Sequence, residues 1–157
     1  MDNGGIMEVS QAPKRPLITD EMVIDVARKH YPNGQEAEHI AECFHRLMDG
    51  YELARTLDRD CGWECSREDV DTLDEVIWNV GTALADAERA WVIAYDIQPS
   101  HEIGARVSFY HGRKGVITAI AGAHSPACYL VKEDGHDDET EGNKRYVVKF
   151  EEATFIE

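Results

Sequence analysis

Within residues 19–94 apolar side chains recur at every third or fourth position, and from Val107 onward they recur at every second. The first period belongs to α-helices with one buried face, the second to strands with one buried face. The change falls around Ile97-Gln98-Pro99-Ser100, where proline cannot continue a helix. A helical part followed by a β part is therefore expected.

Thr19 has the side chain of a helix N-cap, and Asp20 and Glu21 follow in the first turn, where the helix dipole favours acids. Met22, Val23, Val26 and Ala27 form one apolar face, and Pro32-Asn33-Gly34 stops this helix near Tyr31. A second helix is predicted over residues 35–57 on the stripe Ile40, Phe44, Leu47, Tyr51 and Ala54. Gly50 inside it weakens it by ~1 kcal/mol relative to alanine. Residues 58–65 read as a loop, and Ser66 opens a third helix. Its apolar positions are Val70, Leu73, Ile77, Val80, Leu84, Ala87, Trp91 and Ala94, with spacings alternating between three and four. Such a seam wants an antiparallel partner, which the second helix supplies across a short loop. Leu73, Ile77, Val80 and Leu84 are then expected against Phe44, Leu47 and Tyr51. A homodimer through the same seam is the second reading.

Strands are predicted over residues 105–110, 116–121, 127–133, 144–150 and 153–156, with a turn at 111–115 and a polar loop at 134–143. Five short strands in so few residues suggest a small barrel rather than an open sheet. The expected fold class is α+β. Residues 1–17 form a flexible leader and residues 18–98 an acidic three-helix domain with a long antiparallel hairpin. Residues 101–157 form the five-stranded barrel.

The stretch Ile103-Gly104-Ala105-Arg106-Val107, continued by Gly112-Arg113-Lys114-Gly115-Val116-Ile117-Thr118-Ala119-Ile120, resembles the opening of SH3-like small barrels of the KOW type. The resemblance covers the last third of the chain. It implies a barrel that binds nucleic acid, ribosomes, peptides, or nothing at all. The helical two-thirds is similar in overall style to small accessory proteins of phages and mobile elements.

Charge narrows the class of partner. The chain holds 31 acids against 16 bases, for a net charge of −15. Residues 1–100 carry 21 acids and 9 bases, and residues 101–157 carry 10 and 7, so the acidity belongs mainly to the helices. A surface of this sign repels nucleic acid and anionic membranes. The longest apolar run, Ala90 to Tyr95, falls far short of the ~20 residues of a membrane span. Residues 1–11 lack the apolar centre of a signal peptide. These features give the expectation of a cytoplasmic protein in a bacterial host cell, with Cys43, Cys61, Cys65 and Cys128 as reduced thiols.

Four constellations bear on chemistry. His39 and Cys43, one helical turn apart, could join Cys61 and Cys65 in a zinc site, with His45 as an alternative nitrogen ligand. In a continuous second helix, however, Cys43 lies roughly 20 Å from the loop that carries the other two cysteines. The expectation is therefore no metal and no cofactor. Glu133, Asp134, Asp137, Asp138, Glu139 and Glu141 crowd one loop, but their spacing does not fit an EF-hand, and a solvated loop is expected. Tyr110, Arg113, Lys114, Lys144 and Arg145 could converge at one barrel end as a minimal footprint for single-stranded nucleic acid. No nucleophile elbow, nucleotide-binding glycine loop or metalloprotease motif is present, so no enzyme is expected.

The expected function is that of a non-enzymatic acidic binding protein. Its carboxylates off the seam would dock on a basic surface of a bacterial protein. On the third helix these are Glu68, Asp71, Asp74, Glu75 and Glu88, and on the second Glu38, Glu42, Asp49 and Glu52. A phage-encoded inhibitor of a defence system, of anti-CRISPR type, is one concrete form. The alternative is a nucleic-acid- or ribosome-associated module acting through the barrel.

Overall fold

The structure, a computed structural model, describes residues 13–157. Among these residues the fold is α+β, with five α-helices and one antiparallel five-stranded sheet. The chain divides into two compact units. One is Pro16–Asp86; the other is Ala87–Glu157 together with the residues up to Arg15. The division falls inside a long helix rather than at Pro99, where the sequence period changes.

The helical unit opens with α1, Asp20–Arg28, capped by Thr19, whose side chain accepts from the Met22 N–H. The predicted second helix is two helices, α2 (Glu36–Cys43) and α3 (Gly50–Cys61). Two local features break it. Leu47 takes the left-handed φ of 80°, and the Asp49 side chain accepts from the Glu52 N–H, starting a new helix at that point. Gly50 then begins α3 where a side chain would not fit. A Cβ there would stand 2.5 Å from the Val70 carbonyl oxygen, and the Gly50 N–H donates to Asp74 Oδ1 at 2.6 Å. The glycine that looked like a weak point inside one helix is the contact that lets α3 approach α4 (Arg67–Tyr95).

The break also changes the phase of the buried stripe. Leu53, Ala54 and Leu57 point inward on α3, while Leu47 is 96% exposed and Tyr51 56% exposed. The expected pairing of Leu47 and Tyr51 with the seam is thereby corrected. On α4, Leu73 and Val80 are buried as expected and Val76 joins them, while Ile77 and Leu84 are half-buried. α3 runs on through the expected loop as far as Cys61 and ends at Gly62 in the left-handed conformation that glycine adopts without strain.

In the other unit β1 (Arg106–Phe109), β2 (Arg113–Ile120), β3 (Cys128–Glu133), β4 (Tyr146–Lys149) and β5 (Thr154–Phe155) lie in the order β4-β3-β2-β1-β5. The sheet is not closed into a barrel. β5 holds only two residues and its partner is β1, so β4 and β5 form the two edges. The tight turn before β2 is Tyr110-His111-Gly112, all at positive φ, and Arg113 and Lys114 belong to the strand. Val107, Phe109, Ile117, Tyr129, Val131, Val148 and Phe150 form the core, which Trp91 and Ile97 extend. The polar loop contains a helical turn, α5 (Asp138–Glu141), capped by Asp137.

The expected leader lies outside the described residues as far as residue 12. Arg15, also assigned to it, is buried.

Candidate interaction surfaces

The acidic residues of the sequence fall into two physical states. On α4, Glu68, Asp71, Asp74 and Glu75 are exposed. Asp71, Asp74, Glu75 and Trp78 follow the spacing i, i+3, i+4, i+7 and so share one helix face. Trp78 is 77% exposed, and together with Asp74, Glu75 and Asn79 it lines a surface depression. Glu75 lies 3.9 Å from His30. Asp74 has a structural duty as well, since it holds the Gly50 N–H.

Among the other expected docking residues, Glu42 and Glu52 are exposed, and Asp49 is exposed while serving as the α3 cap. Glu38 pairs with Arg28 at 2.6 Å. A backbone hydrogen bond and the Arg28 guanidinium hold its carboxyl below the ordinary range. Glu88 is not part of an open face. Its side chain is 12% exposed and is bound by Arg15.

That ion pair is the centre of the best-built polar cluster in the sheet unit. Arg15 donates to Glu88 Oε2 at 2.5 Å, to Glu151 Oε1 at 2.7 Å, and to the carbonyls of Pro126 and Ala127 at 2.8 and 2.7 Å. Its guanidinium lies over the Trp91 ring, 5.1 Å from the centroid, and Trp91 Nε1–H donates to the Pro13 carbonyl. Burial works against the Arg15 charge, but the two carboxylates outweigh it. Burial likewise pushes the Glu151 carboxyl up, but the hydrogen bond from Arg15, a backbone hydrogen bond and the charges of Arg15 and Lys149 together outweigh it, leaving the carboxyl below its usual range. The arrangement ties Arg15 to α4, to the β2–β3 connection and to the turn after β4.

The expected basic footprint is partly assembled and largely neutralised. Arg113 and Lys144 both approach the face of Tyr146, at 5.2 and 5.8 Å from its centroid. Arg113 is paired with Glu133 at 2.6 Å, and Arg145 makes a two-pronged contact with Asp138 at 2.8 and 2.9 Å. Tyr110 is turned to other use, its hydroxyl donating to the Val147 carbonyl. Lys114 remains exposed. The aromatic group that gathers Arg113 and Lys144 is thus Tyr146, two residues after Lys144.

The break between α2 and α3 also alters the thiol picture. Cys43 Sγ lies 3.8 Å from Cys61 Sγ, in place of the separation that a continuous helix implies. His39 is engaged elsewhere, its Nδ1 accepting from Trp63 Nε1–H at 3.1 Å. The Cys65 thiol is pushed up to about 12 by burial and by Asp58. Among the described residues no group of three or more His, Cys, Asp or Glu side chains could hold a metal ion, the acidic loop included. In that loop Asp138 is committed to Arg145 and Lys132.

The feature that sequence reasoning missed is Trp78. It sits in the polar phase of the α4 heptads, out of step with the seam, and a tryptophan in that phase is the signal that could have marked it. No helix among the described residues is long and apolar enough to cross a membrane. No protein-family model matches the chain, and neither does any curated protein or solved structure.

Proposed function

We propose that this chain is a non-enzymatic binding protein that docks through the Trp78 face of α4 on a basic surface of a bacterial protein. The observation that carries the reading is the exposed Trp78 with Asp71, Asp74 and Glu75 on the same helix face. An indole supplies a large apolar anchor, and the acids beside it on the same face select a cationic partner and speed encounter. A phage-encoded inhibitor of a defence system, of anti-CRISPR type, is the biological form we propose for it. Acting by contact, such an inhibitor needs no catalytic group. We also propose an SH3-like kinship for the sheet. The strand order with β5 against β1, and the single 3-10 turn between β4 and β5, support it.

The test is retention of bacterial proteins on the immobilised chain at low and high salt, repeated with Trp78→Ala and with Glu68, Asp71 and Glu75 reversed together. Specific retention should be lost with Trp78→Ala, and the charge reversal should slow association and flatten its salt dependence. The same proteins held equally by all three forms would sink the reading. The alternative, nucleic-acid binding by the sheet, draws support from Arg113 and Lys144 on Tyr146. It requires salt-sensitive retention of single-stranded nucleic acid that Tyr146→Ala abolishes.

A further inference from the structure

We propose that Cys43 and Cys61 form a dithiol redox site, closing to an intramolecular disulfide by exchange with a low-molecular-weight disulfide such as glutathione disulfide. The inference is independent of the docking reading. It rests on placement: α2 ends at Cys43, α3 ends at Cys61, and the two sulfurs are 3.8 Å apart in thiol–thiol contact.

The two thiols differ in a way that orders the reaction. Cys61 is half-buried, in the last turn of its helix, followed by the exposed left-handed Gly62. Both thiols lie in terminal turns, which open more readily than helix interiors, but Cys43 is buried and Cys61 is only half-buried, so Cys61 is the thiol that a solution disulfide reaches. Cys43 is buried, and burial together with the contact to Cys61 pushes its thiol up to about 11. At rest the Cys43 thiol is therefore protonated, and Cys43 acts second, close to the sulfur it attacks.

The chemistry balances. Cys61 loses its proton to solvent, and its thiolate attacks one sulfur of glutathione disulfide. This forms a mixed disulfide and expels one glutathione thiolate. Cys43 then loses its proton, and its thiolate attacks the Cys61 sulfur of that mixed disulfide. The protein disulfide forms and the second glutathione thiolate leaves. Two protein thiols are oxidised and one external disulfide is reduced to two thiols. A disulfide needs sulfurs ~2.05 Å apart, so the contact must tighten by a side-chain rotation and a small shift of the α3 terminus. The closed bond would tie the ends of α2 and α3 together around the exposed segment that carries Leu47.

The full chain, reduced and freed of reductant, is incubated with glutathione disulfide, alkylated, and examined by intact mass and peptide mapping. The expected product has lost about 2 Da, one for each thiol hydrogen, and two of its thiols resist alkylation. It yields a linked peptide joining Cys43 to Cys61. Cys43→Ala should stop at a glutathione adduct on Cys61, and Cys61→Ser should leave Cys43 free for alkylation once the chain is denatured. Linkage to Cys65 or Cys128, a stable adduct on the unsubstituted chain, or four alkylated thiols overturns the proposal.

Discussion

The two units spend their acids differently. In the sheet unit the carboxylates of Glu88, Glu133, Asp134, Asp138 and Glu151 are each held by an arginine. In the helical unit residues 16–86 carry 17 acids against 6 bases; Glu38 and Asp60 are held by arginines, while Glu68 and Asp71 on α4 have no ion pair among the described residues. An acid count therefore identifies neither a site nor a partner. The difference lies in whether a base is packed against the carboxylate. A paired acid is part of the architecture, while an exposed unpaired one beside an exposed indole is free to meet something else.

The sharpest way to break this comparison is Arg15→Ala. It strands Glu88 in a nearly closed site and frees two buried carbonyls, and it should cost about 3–5 kcal/mol in urea unfolding. A loss below about 1 kcal/mol would make the cluster an ordinary surface pair and erase the contrast between the units.

Gly50→Ala comes next, at about 1–3 kcal/mol, because the new methyl collides with the Val70 carbonyl and the Asp74 carboxylate. A neutral result would show that α3 can move off α4 freely, and the α2–α3 break would then not be set by this contact.

The pH dependence should be smaller and confined to acid. Glu151 has a carboxyl held below its usual range in the folded state, so its contribution is complete above the unfolded value of about 4.3. It is lost as pH falls through the lower folded value. Thermal unfolding of Glu151→Gln should therefore differ from the unsubstituted chain at pH 7, and the gap should narrow as the pH falls below about 4. A gap that stays constant would mean that Arg15 does not stabilise the charged form.

Least effect on stability is expected from Trp78→Ala, within about 0.5 kcal/mol, since the ring is mostly in water. A large loss of stability would place Trp78 in a packed structural role and remove the main support for the docking face.

What could be read along the chain was what depends on near neighbours. Thr19 caps α1 through a side chain three residues from the N–H it accepts, and the spacing places Leu73 and Val80 on a buried face, though Val76 and not Ile77 is buried between them. The β alternation of Val107 and Phe109 is equally local, and all three stand in the structure. The split of α2 from α3 was half-legible. Asp49 is a cap residue and Gly50 a breaker, yet the competing apolar stripe through Leu47 and Tyr51 spans them without a slip. The close fit of Gly50 to Val70, twenty residues on, is a contact that spacing along the chain does not announce.

Everything else that defines the candidate sites depends on contacts remote in sequence. Arg15 meets Glu151 across 136 positions, Cys43 meets Cys61 only because the helix between them is interrupted, and β5 takes its place beside β1, far back along the chain. Periodicity assigns a residue to a face but not a partner to that face. Partner choice is settled by whole-chain packing, where each buried charge must find its counter-charge and each close backbone approach must find a glycine.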